Sequence, residues 1–156
     1  MQNYFSLFSI DESFDIDLEN LENKYFALQA KFHPDLSSDD KEKQERISQS
    51  ILINNAYNSL KNPFERAAHI LSLHGVETEA VKLPESILEK IMEMQETLEM
   101  LIVSNSPELE NFKSSVSLQK ERMILRLREA FSAKNYHFCA EILMEMRYLE
   151  KLYSLT

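Results

Sequence analysis

At 156 residues and 44% hydrophobic content, the chain is long enough for one or two small packed domains. One Gly and four Pro, amid abundant Leu, Glu, Lys and Met, make an all-α protein the expected class. The net charge is −9 with acidic residues in excess in both halves, and no segment approaches transmembrane length, so neither nucleic acid nor a membrane is an expected partner.

The chain opens on an apolar cluster, Tyr4, Phe5, Leu7, Phe8 and Ile10. Leu18, Leu21, Tyr25, Leu28 and Phe32 then step by three and four, the spacing of one buried helix face, with Asp17 placed to cap it. Pro34 lacks a backbone donor and disfavours helical geometry at His33, so this helix ends there. His33-Pro34-Asp35 is thereby displayed on a tight loop, which continues through the turn residues Ser37, Ser38 and Asp39. A third helix is expected from about residue 41 to 62. Pro63 suits the first turn of a fourth, and Gly75 stands where that one stops. Residues 76–83 have no helical apolar period, precede Pro84, and read as a linker. Three further helices are expected beyond it, with breaks at Ser104-Asn105-Ser106-Pro107 and near Lys134-Asn135.

The side-chain chemistry points to recognition and not to catalysis. An imidazole and a carboxylate at a loop tip have no Gly-rich phosphate loop and no positioned nucleophile to work with. Cys139 is a single cysteine on the apolar stripe it shares with Ile142, Met146, Leu149 and Tyr153, so it reads as a buried small hydrophobe. His69 and His74 are five apart, off any common helix face, and His137 is isolated, so all three read as structural or surface residues. No cofactor and no bound metal is expected.

On the helix that begins near Pro84, Ile87, Ile91, Met94, Leu98 and Leu101 form one core stripe. Leu88 and Met92 make a second apolar pair, about 100° around the helix, bordered by Glu93 and Glu96. By pattern alone two readings stand open. The pair is either a docking patch with acidic neighbours, or a second edge buried in a three-helix bundle.

The run Ile53-Asn54-Asn55-Ala56-Tyr57-Asn58-Ser59-Leu60, taken with Tyr25, Leu28, Phe32 and His33-Pro34-Asp35, resembles the J-domain, the activating module of DnaK-type chaperone ATPases. The following run, Pro63-Phe64-Glu65-Arg66-Ala67-Ala68-His69-Ile70-Leu71-Ser72-Leu73-His74-Gly75, resembles the HscB family, the J-domain co-chaperones of iron–sulfur cluster assembly. The resemblance implies an L-shaped all-α protein, with an N-terminal J-domain helical hairpin over 1–75 and a C-terminal three-helix bundle over 84–156. It further implies that His33, Pro34 and Asp35, with Lys24 and Lys31 nearby, contact a chaperone of HscA or DnaK type and stimulate its ATPase. Ile53, Ala56, Tyr57 and Leu60 match the core positions of the hairpin's second arm. Leu88, Met92, Glu93, Glu96 and Tyr148 correspond to the positions that hold the scaffold protein IscU, and Met100 stands where a further acidic contact is expected. A J-domain adaptor for a different client remains the alternative. Phe26 and Ala27 follow Tyr25 where many J-domains carry a basic track. Eukaryotic members can carry a cysteine-pair metal site; with no such pair and no Arg- and Ser-rich leader here, a bacterial cytoplasmic protein is expected.

Overall fold

The computed structural model describes residues 2–154, which divide into two compact units, one ending at Leu73 and the other beginning at His74. Among the described residues every regular element is helical.

In the first unit, helix α1 (Tyr4–Leu7) is capped by Asn3, whose side chain accepts from the Phe5 and Ser6 N–H groups. Helix α2 (Leu18–Lys31) starts at Asp17, whose Oδ1 accepts the Asn20 N–H at 3.0 Å. A short 3-10 turn, Pro34–Leu36, leads into α3 (Asp40–Lys61), and α4 (Pro63–Leu73) follows at once. Pro63 takes the first helical position of α4, while Asn62 Oδ1 accepts from Phe64 and Glu65.

Helices α2 and α3 lie antiparallel. Glu22 bonds to Tyr57, Tyr25 to Asn54 and Gln29 to Ser50, so one partner retreats as the other advances. The Tyr25 and Tyr57 rings stack at 4.1 Å. Ile53, Ala56, Tyr57 and Leu60 are buried against Leu21, with Phe5, Phe8 and Phe14 closing the same core. The α2 stripe is covered unevenly. Leu21 is fully buried, whereas Tyr25, Leu28 and Phe32 are half-buried and Leu18 is 50% exposed. Towards the loop the reason is geometric: α1 and α4 pack on α3 and thicken the core of this unit, while among its described elements the far end of the hairpin is formed by α2 and α3 with the short 3-10 turn.

Arg66 fastens this unit from within. It is 7% exposed, with Nε donating to the Phe14 carbonyl and Nη1 to the Leu60 carbonyl, both at 2.6 Å. Leu60 lies in the last turn of α3, where carbonyls have no intrahelical donor. The guanidinium also sits 5.2 Å from the centre of the Phe14 ring. Burial lowers its pKa, with the Asp15 carboxylate opposing the shift. Arg66 remains charged because its ordinary pKa is so high.

In the second unit a 3-10 turn, Thr78–Ala80, precedes α5 (Glu85–Val103), α6 (Leu109–Ser132) and α7 (Tyr136–Tyr153). Helix α7 is central and packs on α5, on α6 and on the Thr78–Ala80 turn, where Arg147 Nη1 donates to Glu79 Oε1 at 3.0 Å. Its buried residues include Cys139, Ile142, Met146, Leu149 and Leu152; Tyr153, expected on the same stripe, is 43% exposed at the last turn of the helix. Glu145, 5% exposed, is buried with them and takes a 3.0 Å bond from Arg126 Nη1 of α6.

Three helices end in the same way without glycine. After α1, α5 and α6 the chain turns through Ser9, Asn105 and Lys134, at φ of 51°, 48° and 53°. In each case the next residue donates back to the helix: Ile10 to Phe5, Ser106 to Leu101 and Asn135 to Ala130. Gly75 supplies the left-handed position after α4, at φ 73°.

Candidate functional site

The first candidate site is the hairpin tip. Phe32 closes α2, donating to the Leu28 carbonyl, and His33 turns into extended geometry at φ −61°, ψ 130°. That is the backbone a residue before proline must adopt. Leu36 and Ser37 donate to the His33 and Pro34 carbonyls at 3.2 Å, folding the loop into its 3-10 turn.

Within the loop, His33 Nδ1 accepts the Asp35 N–H at 3.2 Å and lies 3.5 Å from Asp35 Oδ2. With Nδ1 accepting, the neutral ring carries its proton on Nε2, so His33 presents a donor and Asp35 a pair of acceptors. Both side chains are open, 58% and 85% exposed. An open imidazole–carboxylate pair at a loop tip is accessible to another protein surface.

The charges around the tip differ in their engagement. Lys24 Nζ donates to the Ser9 carbonyl at 2.7 Å, tying α2 to the end of α1. Lys31 is exposed, with its ammonium 5.5 Å from the centre of the Phe32 ring. Phe26 and Leu36 stand 59% and 63% exposed beside these positions. Leu36 went unremarked in the sequence because a single apolar residue after a turn has no period to betray it.

The second candidate site is the outward face of α5. Ile91 and Leu98 are buried, and Ile87, Met94 and Leu101 are half-buried, so the core stripe faces α7 and α6. Leu88 and Met92 are 36% and 61% exposed, which places them outside the bundle core. Glu93 and Glu96 are exposed beside them, together with Glu85, Glu89 and Glu99. Met100 adds an apolar side chain at 70% exposure. Tyr148, on α7, is 39% exposed. The result is an acidic helix face interrupted by flexible apolar side chains, a composition suited to a protein partner with basic and apolar groups.

A groove of about 570 Å³ runs between α5 and α6, lined by Lys90, Glu93, Thr97, Gln119, Arg122 and Arg126 among others. The remaining histidines are held by their surroundings. His69 Nε2 accepts the Tyr4 N–H at 3.1 Å with its ring stacked 4.2 Å from that of Tyr4. His74 stacks on Tyr136 at 4.5 Å, and His137 lies 3.4 Å from Glu141. Among the described residues no group of three His, Cys, Asp or Glu is arranged to hold a metal ion. No helix among them is long and apolar enough to cross a membrane.

Residues 83–154 match the family model described as the HSCB C-terminal oligomerisation domain. A co-chaperone protein HscB homolog of Neisseria meningitidis is 37% identical over 159 residues, covering 97% of this chain and 95% of the relative. One from Vibrio cholerae is 30% identical over 158 residues, covering 96% and 92%. Among solved structures, the chaperone HscB from Vibrio cholerae superposes with a TM-score of 0.83 at 29% identity, covering 97% of this chain and 93% of that one. Human co-chaperone protein HscB gives 0.86, also at 29% identity, covering 99% and 80%. A helical hairpin with a displayed loop, followed by a three-helix unit, is thus shared with proteins that are co-chaperones. The chain belongs to the HscB family.

Proposed function

We propose that the protein stimulates the ATPase of a DnaK-type chaperone of the HscA kind and delivers an IscU-type scaffold protein to it, promoting iron–sulfur cluster transfer in the bacterial cytoplasm. The observation that carries this reading is the tip of the hairpin. His33 and Asp35 are held by an internal hydrogen bond and both are open to a partner.

In this reading the hairpin unit engages the chaperone and the three-helix unit holds the client, with residues 76–83 carrying the Thr78–Ala80 turn that packs on α7. Asp35 offers a carboxylate to an arginine of the chaperone, a charge-assisted and bidentate geometry. His33 supplies a donor, and Pro34 fixes the turn that presents both. Lys31 adds local positive charge. Lys24 contributes chiefly by anchoring α2, because its ammonium is already bonded to Ser9. Leu88 and Met92 insert into the scaffold, Glu93 and Glu96 pair with its basic groups, and Tyr148 adds an aromatic contact from α7. Binding both partners shifts the chaperone towards its tight-binding state, since each has higher affinity for that state.

The test is single-turnover ATP hydrolysis by an HscA-type chaperone, with and without this protein and IscU, and with His33→Gln as control. Synergistic stimulation that the variant abolishes is the expected result. Stimulation without synergy removes the scaffold as client and leaves a J-domain adaptor for another protein. No stimulation of any DnaK-type chaperone overturns the reading.

A further inference from the structure

Two residues in the first turns of α3 hold the hairpin loop at both ends. Arg46 Nη1 donates to the Lys31 carbonyl at 2.9 Å. Lys31 is the last residue of α2, and its carbonyl belongs to the group that a helix leaves without an internal donor. The other side of the same guanidinium, Nε and Nη2, donates to Glu42 Oε1 at 3.0 and 2.9 Å. Glu42 Oε2 in turn accepts from Ser37 Oγ at 3.3 Å. The single Ser37 hydroxyl proton is shared between Glu42 Oε2 and the nearer Asp39 carbonyl at 2.9 Å, while the oxygen accepts the Asp39 N–H at 3.3 Å.

The connected path therefore runs from the Lys31 carbonyl through Arg46 and Glu42 to Ser37. Lys31 lies two residues before His33, and Ser37 two residues after Asp35. The five residues between, Phe32 to Leu36, are spanned by a clasp of two side chains of α3, Arg46 and Glu42, which reach the Lys31 carbonyl and the Ser37 hydroxyl. We infer that Arg46 and Glu42 are positioning residues for the His33-Pro34-Asp35 loop, holding it in the conformation that meets the chaperone; the inference rests on the chaperone-activating function proposed above.

The chemistry requires arginine. One planar guanidinium reaches a carbonyl and a carboxylate in two directions at once, whereas a lysine ammonium is a point charge that satisfies one geometry at a time. Arg46 is the less exposed partner, its side chain 23% exposed against 47% for Glu42. Beyond the clasp the loop has its own 3-10 turn, which fixes its curvature but not its placement over α3. An unclasped loop populates the docking conformation for a fraction of the time, and apparent affinity falls by that fraction. Maximal stimulation stays near wild type because the docking groups are untouched.

The test compares Arg46→Ala, Arg46→Lys, Glu42→Gln and the Arg46→Ala/Glu42→Gln double variant, with helix content checked by circular dichroism. Amide hydrogen exchange at Asp35, Leu36 and Ser37 reports loop order without any chaperone. Chaperone titration reports the concentration for half-maximal stimulation and the maximum separately. Faster exchange in all four variants is expected. A fall of the ordered fraction to about one fifth raises the half-maximal concentration about five-fold at an unchanged maximum. The double variant should be no worse than Arg46→Ala, because the two residues act as one chain of bonds.

Unchanged exchange in Arg46→Ala overturns the inference. So does a wild-type titration by Arg46→Lys, which would assign the effect to charge and not to the clasp. If the wild-type protein stimulates no chaperone, the proposed function falls, and the exchange measurement still decides whether the clasp orders the loop.

Discussion

Replacing Arg66 with Met removes the guanidinium and keeps most of the side-chain volume. Two carbonyls, Phe14 and Leu60, then lose donors that stand at 2.6 Å in a site only 7% exposed. Leaving a buried acceptor unsatisfied costs about 1–3 kcal/mol each. The lost cation–ring contact with Phe14 adds up to about 1 kcal/mol, and burial of the methionine returns about as much. A net destabilisation of about 3 kcal/mol follows for the first unit. A unit of this size has a total stability of about 4–11 kcal/mol. The corresponding drop in its Tm is about 12–24 °C. Urea unfolding followed by circular dichroism, with residue-resolved amide signals to separate the two units, measures it. The second unit serves as internal control, since Arg66 bonds only within the first among the contacts described. Arg66→Lys should fall between, restoring one of the two bonds. A loss under about 1 kcal/mol in Arg66→Met would show that water satisfies both carbonyls and would refute the reasoning.

Burial lowers the pKa of His69, against an opposing pull from Glu12, and its Nε2 must be unprotonated to accept the Tyr4 N–H. The folded form therefore binds fewer protons than the unfolded one. Stability of the first unit is fully present above the unfolded-state pKa of about 6.5 and is lost as pH falls through it towards the lower folded value. The slope of the urea midpoint between pH 7 and 5.5 should shrink in His69→Gln, and an identical slope would remove His69 as its source. Burial pushes the Cys139 thiol up to about 11, so the native protein should resist thiol reagents at pH 8 and react stoichiometrically in urea; rapid native labelling would contradict the buried assignment. Lys134 holds φ 53° after α6, and Lys134→Gly should stabilise the second unit by about 1 kcal/mol in urea, with no gain counting against the strain. The double variant Leu88→Ala/Met92→Ala should weaken IscU binding at least ten-fold with unchanged helix content, because both side chains lie outside the core. Unchanged affinity, read by calorimetry, would remove these residues from the interface.

Much of the architecture was legible in the residues themselves. Asp17, Pro34, Pro63 and Gly75 mark helix ends through capping and backbone restriction, which depend on a few neighbouring residues. Periodic stripes marked α2, α5 and α7, while prolines, the glycine and turn residues separated α3, α4 and α6, because helical spacing and backbone restriction are local properties. Periodicity did not decide how deeply each stripe is buried. Leu18 and Leu21 share a face, yet one is half exposed and the other sealed, since cover depends on which side chains of other elements come within reach.

The sites divide in the same way. The sequence by itself determined that His33, Pro34 and Asp35 would be displayed on a loop, because the proline both ends α2 and shapes the turn. It left open whether Leu88 and Met92 are surface or core; the packing of α5 on α7 and α6 decided that, by drawing the neighbouring Ile91 and Leu98 stripe inward. Lys24 is expected near the chaperone contact from the resemblance, and only the fold brings the Ser9 carbonyl within 2.7 Å of its ammonium. Arg66 bonds to a carbonyl 52 residues away, Arg46 to one 15 residues away, and His69 accepts an N–H from 65 residues away. Every residue type offers a backbone carbonyl, and all but proline offer an N–H, so such partners leave no signature in a sequence. Only the tertiary fold decides which of them comes within reach of a given side chain.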